Sequence, residues 1–208
     1  MATKKKIFII AFGIVFCVAI FQRKHSGSKE VKEVTESSFT EMTTTTASDS
    51  LELTALIKNL LKWHEPDRLE DFDVISSDDS IYTGINWDVH RKRMLQIRET
   101  KFFTEDFLEN YQNIAIYLDK ELKKNPKRYY VGELPPYGNG ANEWCDCQDY
   151  AYNWEHFFMI VDLKIDTDFA NFKWTWDKEH YYFIRAQKDN NSWRISYMER
   201  FDIKNFIW

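Results

Sequence analysis

The spacing of apolar residues changes along this chain from a helical period to a period of two. Between residues 50 and 124 apolar side chains recur at helical intervals, whereas from residue 157 onward they alternate with more polar ones. The first spacing places one face of an α-helix against a core, and the second does the same for a β-strand. The pattern therefore predicts helices first and a sheet afterwards.

Two helices are predicted in the first part of this region. The first covers about residues 50 to 63 and begins where Asp49 and Glu52 have the spacing of a capping box. It ends before Pro66, because proline disfavours helical geometry in the preceding residue. The second covers residues 88 to 99.

A third helix, predicted over residues 104 to 124, has the most complete apolar stripe. Thr104 suits the N-cap position, and lysines near the other end suit the negative end of the helix dipole. The residues that keep one face along this helix are Phe107, Tyr111, Ile114, Ala115, Leu118 and Leu122.

The region of period two predicts four strands in an antiparallel meander. Its connections fall near residues 166 to 168, 177 to 178 and 189 to 191, and such short links join antiparallel neighbours. Asn190-Asn191-Ser192 fits an Asn-rich hairpin turn, and it is also a glycosylation sequon. The side chains predicted to share the buried face are Phe157, Met159, Val161, Leu163, Ile165, Phe172, Trp174, Trp176, Tyr182, Ile184, Ala186, Trp193, Ile195 and Tyr197.

Together these elements predict a single α+β domain over residues 51 to 208, in which N-terminal helices pack on one face of a mainly antiparallel sheet. Residues 127 to 134 have the composition of a further strand, and Pro135 to Gly140 that of a loop. The chain has 35 aromatic residues and only 6 Gly and 4 Pro, which excludes disorder throughout.

The N-terminus predicts export. A run of lysines precedes an unbroken apolar stretch over residues 7 to 21, which would reach about 22 Å as a helix, short of the roughly 30 Å hydrocarbon core. Residues 1 to 25 are therefore interpreted as a signal peptide or as an N-terminal membrane anchor formed by a transmembrane helix. Either one places the domain outside the cytoplasm, in the periplasm or secreted. Lipidation of Cys17 is a further alternative.

Residues 26 to 50 are rich in Ser and Thr and contain only scattered apolar side chains. Such a composition cannot bury enough surface to offset the entropy of ordering. We interpret the segment as a disordered linker that holds the domain off a membrane, or as a disordered leader without a role.

Charge excludes one class of partner. The formal net charge is −5, and the predicted domain alone carries −7. A protein that neutralises phosphates needs a surplus of Lys and Arg, so nucleic acid is not an expected partner.

The order of elements, the phrase from Asn191 to Tyr197 (NSWRISY) and the phrase Gln148-Asp149-Tyr150 resemble the nuclear-transport-factor-like superfamily, also called cystatin-like α+β. The resemblance covers about residues 51 to 204, and within the superfamily the chain is similar to small exported bacterial domains. It implies a cone-shaped domain whose curved sheet surrounds a pocket. Enzymes of the superfamily place an Asp/His or Tyr/Asp pair in that cone, and no phrase here matches their active-site motifs.

The stretch from Glu143 to Tyr150 groups two thiols with three carboxylates. One residue separates Cys145 from Cys147, which makes a disulfide between them sterically awkward, so we expect none. The two are metal-ligand candidates, since zinc accepts thiolates, but their spacing departs from structural zinc sites, and no metal or cofactor is predicted. Redox-active thiols and simple packing at the entry to the sheet are the alternatives.

No residue is predicted to be catalytic, but four are candidates if the protein is an enzyme. A general acid or base needs a carboxylate, an imidazole or a phenol within reach of substrate. The candidates that lie close to the predicted sheet are Asp149, Tyr150, His156 and His180. A structural role accounts for each of them as well.

Aromatic residues supply the ligand-binding candidates. Rings on a concave face suit sugar rings or an extended peptide, whereas rings that only build the core would need no ligand. The binding candidates are Trp174, Trp176, Tyr182 and Trp193.

These observations predict an exported or membrane-tethered binding module with an aromatic pocket. Its partner would be a small ligand, a glycan or an envelope protein, and the N-terminal segment would contact the membrane. One alternative is an enzyme of the same fold that uses an Asp, His or Tyr pair. The other is a structural or inhibitory envelope protein.

Overall fold

The computed structural model describes residues 36–66, 71–77, 81–124 and 141–206. Nearly all of them belong to one compact unit that covers Ser37–Trp208. The signal or anchor predicted over residues 1 to 25, and the strand and loop predicted over residues 127 to 140, lie outside the described residues. In the described ranges no helix has both the length and the apolar character needed to cross a membrane.

The helices are α1 (Glu36–His64), α2 (Trp87–Thr100), α3 (Glu105–Lys124) and α4 (Trp154–Phe157). The strands are β1 (Val74–Ser77), β2 (Ile81–Ile85), β3 (Met159–Asp166), β4 (Phe169–Thr175), β5 (Tyr182–Asp189) and β6 (Ser192–Met198), followed by two short 3-10 helices, Glu199–Phe201 and Ile203–Phe206. Strands β3, β4, β5 and β6 form the antiparallel meander in that order, and β1 pairs with β2 as a separate hairpin. The predicted α+β class, with helices packed against a mainly antiparallel sheet, is confirmed, whereas the β1–β2 hairpin was not predicted.

Helix α1 begins at Glu36 rather than near Ser50, so residues 36–50 of the predicted disordered linker are helical. Asp49 therefore lies inside α1 and is not its N-cap. Its buried carboxylate accepts a hydrogen bond from Trp193 Nε1 at 2.9 Å and pairs with Lys188 Nζ at 2.8 Å. Because these partners belong to the sheet, the sequence around Asp49 could not distinguish a cap from a tertiary contact. The tethering role of residues 26 to 50 stays a prediction.

The ends of α2 and α3 follow local sequence. Asn86 caps α2 by accepting a hydrogen bond from Val89 N, and Lys101 closes it in the left-handed region with φ 59°. Thr104 Oγ1 accepts a hydrogen bond from Phe107 N at 3.4 Å, which confirms the predicted N-cap of α3. Residues in the short link between the two helices pair with β6: Thr104 N donates to Ile195 O, and Ile195 N donates to Phe102 O.

The turn between β5 and β6 confirms the hairpin prediction. Asn190 and Asn191 both have positive φ, 50° and 63°, and Asp189 pairs with Ser192 across them. Two consecutive residues with positive φ are the requirement of a type I′ turn, and Asn tolerates that region well.

Register shifts in β3 and β6 correct the predicted buried face. One residue is added to β3 around Asp162, which has φ 54°, and as a result Ile160 faces the core in place of Met159 and Val161. In β6 the additional residue is Ser196. This second shift turns Tyr197 away from the core, so that its ring lies against Phe183 and Arg185. A strict period of two cannot reveal an inserted residue, because each insertion exchanges the two faces of the strand. Phe157 ends α4 and is 58% exposed, so it was also wrongly predicted to be buried.

Candidate functional site

A pocket of about 230 Å³ lies between the loop before α4 and the connection from β4 to β5. Most of the candidate site residues predicted from the sequence line this pocket, although they come from separate parts of the chain. The residues that line it are Cys145, Asp146, Cys147, Trp174, Trp176, Asp177, His180, Tyr181 and Tyr182. A second pocket of about 350 Å³ on another part of the sheet, lined partly by Asp106, Arg185 and Tyr197, contains no predicted site residue.

Three aromatic side chains form the apolar wall: Trp174 on β4, Trp176 just after the end of β4, and Tyr182 on β5. Trp174 stacks on Tyr182 with ring centroids 5.5 Å apart, and Trp176 meets the edge of Trp174 at 5.1 Å. Trp174 is buried, and its Nε1 has no hydrogen-bond partner in the described part of the chain. Trp176 is only half-buried and packs on Tyr150 at 5.8 Å. The wall is therefore buried at Trp174 and partly exposed at Trp176.

Asp177 and His180 form the polar edge. Asp177 Oδ1 accepts hydrogen bonds from the backbone N–H groups of Glu179 at 2.8 Å and His180 at 2.9 Å, and Asp177 Oδ2 contacts His180 Nδ1 at 2.8 Å. Burial alone would raise the pKa of the Asp177 carboxyl, but the hydrogen bonds from His180 and its neighbours outweigh it and hold this pKa well below its usual range. The hydrogen bond to Asp177, helped by its negative charge, raises the pKa of His180. The pair thus favours an imidazolium next to a carboxylate.

Cys145 and Cys147 are joined by a disulfide, with Cα atoms 5.2 Å apart. The expectation of no disulfide was wrong, because the tight turn between the two residues brings the Cα atoms into the usual range for a disulfide. The metal-ligand hypothesis for Cys145 and Cys147 falls with it, since sulfurs bonded to each other are not thiolates. Among the described residues no group of three or more His, Cys, Asp or Glu is placed to hold a metal.

The turn that carries the disulfide is held by other contacts as well. Asn142 N donates to Cys147 O and Asp146 N donates to Asn142 O, both at 2.8 Å, and Asn142 Oδ1 accepts a hydrogen bond from Trp144 N. Asp146 has φ 53°, and its carboxylate pairs with Arg200. A disulfide across so short a loop contributes only about 2 kcal/mol by chain entropy at 25 °C, compared with about 3 kcal/mol for a 15-residue loop.

Trp144 anchors this turn in the core. Its indole is fully buried, and Nε1 donates to the carboxylate of Asp71. Asp71 also accepts hydrogen bonds from the Tyr111 hydroxyl and, at 3.1 Å, from Arg93 Nε, with which it forms an ion pair whose side chains are 5% and 3% exposed. A polar network on α2, α3 and the segment before β1 therefore positions the residue next to Cys145.

Glu143, the residue before Trp144, has an altered acidity. Burial raises the pKa of its carboxyl to about 7, and the negative charge of Asp71 acts in the same direction against the opposing effect of Arg200. Its backbone oxygen accepts a hydrogen bond of 2.5 Å from the Tyr182 hydroxyl. The wall of the pocket and the disulfide turn are thus directly connected.

The predicted site residues divide into two groups. The structure brings together in the pocket Trp174, Trp176, Tyr182, His180, Cys145 and Cys147. Tyr150 lies behind Trp176, where its hydroxyl is 3.0 Å from His64 Nδ1. Asp149 and His156 are exposed, and neither contributes to the described wall of the pocket. Trp193 is on β6 with Asp49 as its partner and is also not part of that wall.

Sequence reasoning missed Asp146 and Asp177 as pocket residues, and it counted Tyr181 only among the aromatic residues in or beside the predicted sheet. Asp146 was noticed only as one of the carboxylates in the stretch from Glu143 to Tyr150, and Asp177 only as part of a strand connection. The available signal was their position, since both lie in turns next to candidate residues: Asp146 lies between Cys145 and Cys147, and Asp177 follows Trp176. Binding and catalytic residues lie disproportionately on loops that a rigid scaffold positions, so residues in turns beside a sheet are candidates for function.

The chain matches no family model, and neither the curated proteins nor the solved structures gave a match. The resemblance to the nuclear-transport-factor-like superfamily, including the cone shape it implies, accordingly stays a prediction.

Proposed function

We propose that this protein is a binding module, exported or held at a membrane by its N-terminal segment, whose aromatic pocket takes one ring or one flat side chain of its ligand. The observation that carries the proposal is the convergence of Trp174, Trp176 and Tyr182 with Asp177 and His180 on one pocket. Aromatic faces pack on flat apolar groups, while a carboxylate and an imidazole fix the orientation of a bound group by hydrogen bonding.

Pocket size limits the ligand. The volume of about 230 Å³ is below the roughly 300–1,000 Å³ of sites that enclose a drug-sized molecule. It accommodates one part of a larger molecule, such as a single sugar unit of a glycan or a single side chain of an envelope protein. The rest of such a ligand would lie on the surface beside Trp176 and His180.

Trp176→Ala is expected to weaken binding about 10- to 100-fold, because burying one large aromatic side chain against a ligand contributes about 1.5–3 kcal/mol. The measurement is calorimetric titration of the full-length protein with a panel of monosaccharides and short peptides that contain aromatic residues. Trp87→Ala is the matched control, since Trp87 is also half-buried but packs on His90 of α2. Equal affinities of the two variants for a ligand that binds the wild type would contradict the proposal, as would the absence of any saturable ligand.

The alternative function as an enzyme is supported by the Asp177–His180 pair. A carboxylate that holds Nδ1 orients an imidazole and leaves Nε2 for a substrate proton, which is the arrangement of a general acid or base. His180→Gln would then abolish turnover of a ligand found by titration while changing its affinity less than tenfold, about 1.4 kcal/mol. If a ligand that binds the wild type is recovered chemically unchanged after incubation with it, this alternative is excluded. The third hypothesis, a structural or inhibitory envelope protein, stays a prediction.

A further inference from the structure

We propose that the Cys145–Cys147 disulfide is a thiol–disulfide exchange site, which oxidises a dithiol of a peptide or protein whose side chain occupies the aromatic pocket. This inference rests on the proposed binding function, because the same pocket presents the substrate to the disulfide. Both cysteines line the pocket next to Trp174, Trp176 and Tyr182.

The two sulfurs differ in accessibility. Cys145 is 4% exposed, whereas Cys147 is only half-buried. Exchange requires a thiolate to approach one sulfur of the disulfide, so access decides which sulfur is attacked. An incoming thiolate therefore reaches Cys147, and Cys145 is the leaving group.

We expect the turn to retain its shape when the disulfide bond opens. The backbone hydrogen bonds from Asn142 N to Cys147 O and from Asp146 N to Asn142 O, together with the buried Trp144 indole, hold the turn independently of the sulfur–sulfur bond. Asp146 lies between the cysteines, but its negative charge is compensated by Arg200, so it opposes thiolate formation less than an unpaired carboxylate would. A disulfide between residues two apart also closes too short a loop to be retained mainly for stability.

The reaction is balanced as two exchanges. A substrate thiolate attacks Cys147 Sγ, a new sulfur–sulfur bond forms, and the bond to Cys145 breaks, so that Cys145 leaves as a thiolate and takes a proton. The second substrate thiolate then attacks the substrate sulfur of this mixed disulfide, and Cys147 leaves and is protonated. The substrate dithiol loses two electrons and becomes a disulfide, and the cysteine pair becomes a dithiol. A disulfide oxidant, such as glutathione disulfide, restores the pair by the reverse exchange.

Two measurements on the full-length protein test this proposal. First, the wild type is incubated under native conditions with an excess of a model dithiol peptide, and both the peptide and the protein are followed by mass spectrometry. We expect one peptide disulfide for each cysteine pair reduced. A pair that stays oxidised under these conditions, although it is reduced in denaturant, would overturn the proposal, and this measurement needs no variant.

Second, Cys145→Ser and Cys147→Ser each leave one free thiol, and glutathione disulfide probes its reactivity. We expect the Cys147 thiol of Cys145→Ser to form the mixed disulfide at least about tenfold faster than the Cys145 thiol of Cys147→Ser, because buried thiols react slowly. Equal rates in folded variants would contradict the assignment of Cys147. The effect of Trp176→Ala on ligand binding separates the two proposals. If this variant binds the ligand more weakly than the wild type, but the wild type does not oxidise the dithiol peptide, only the exchange proposal fails.

Discussion

Asp71→Ala is expected to destabilise the domain by about 3 to 5 kcal/mol, as is typical when one partner of a buried ion pair is removed. The Asp71 carboxylate accepts hydrogen bonds from three donors in the core: Arg93 Nε, the Tyr111 hydroxyl and Trp144 Nε1. The alanine variant leaves the two aromatic donors without this acceptor, and each unsatisfied buried donor costs about 1–3 kcal/mol. Domains of this kind have a total stability of about 5–15 kcal/mol, so the loss is a large share of it.

Unfolding in denaturant, followed by tryptophan fluorescence, measures this effect. Asp88→Ala is the control, because Asp88 forms an ion pair with Arg91 in which both side chains are largely exposed. Its removal should change the free energy of unfolding by less than about 1 kcal/mol. Similar unfolding midpoints for the two variants would show that Asp71 does not organise the core. Asp71→Asn, which keeps an acceptor but loses the charge, is expected to lie between the wild type and Asp71→Ala.

Glu143→Gln is expected to stabilise the domain at pH 8 by up to about 3 kcal/mol, while its effect at pH 4.5 is small. The pKa of Glu143 is raised from 4.5 to about 7, mainly by burial and secondarily by the charge of Asp71. Between these two values the folded protein keeps a proton that the unfolded chain has already released. The folded state therefore binds more protons, so stability falls as the pH rises from 4.5 to 7 and levels off above that. Glutamine carries no charge at any pH and removes this loss.

The measurement is the free energy of unfolding at pH 4.5, 6 and 8 for the wild type and the variant. Glu105→Gln is the control, because Glu105 is exposed and pairs with Arg98, and its removal should leave the pH dependence of the wild type in place. If Glu143→Gln and the wild type lose stability in parallel between pH 4.5 and 8, the Glu143 carboxyl is not responsible for the pH dependence.

Asp71 and Glu143 act on the same part of the molecule. Asp71 holds Trp144, and Glu143 binds the Tyr182 hydroxyl through its backbone oxygen, so each lies one step from the pocket. Loosening the turn from Asn142 to Cys147 would move the disulfide relative to Trp174. The stability of the core network and the geometry of the pocket are therefore coupled through this turn.

Local sequence was sufficient where short-range chemistry decides the structure. Thr104 caps α3 as predicted, and the pair Asn190-Asn191 forms the hairpin turn because both residues tolerate positive φ. The period of two located four strands and their order, since short links leave antiparallel pairing as the only option. In contrast, the start of α1 was misplaced, because Asp49 finds its partners on the sheet, far away in sequence.

The sequence by itself determined the fold class, the order of the elements and the aromatic composition from which the pocket is built, because periodicity, capping and turn preferences act over a few residues. Only the tertiary structure decided which aromatic and charged side chains meet. It placed Trp176 and His180 beside Cys147, and it placed Trp193 elsewhere with Asp49. It also formed the disulfide that the spacing of Cys145 and Cys147 had argued against. The disulfide depends on a left-handed turn at Asp146 and on a tryptophan held in the core by Asp71, and the buried faces of β3 and β6 depend on an inserted residue in each strand. The periodicity of the sequence reveals none of these features. The turn and the tryptophan are held by Arg200 and Asp71, which are distant along the chain, and an inserted residue exchanges the two faces of a strand.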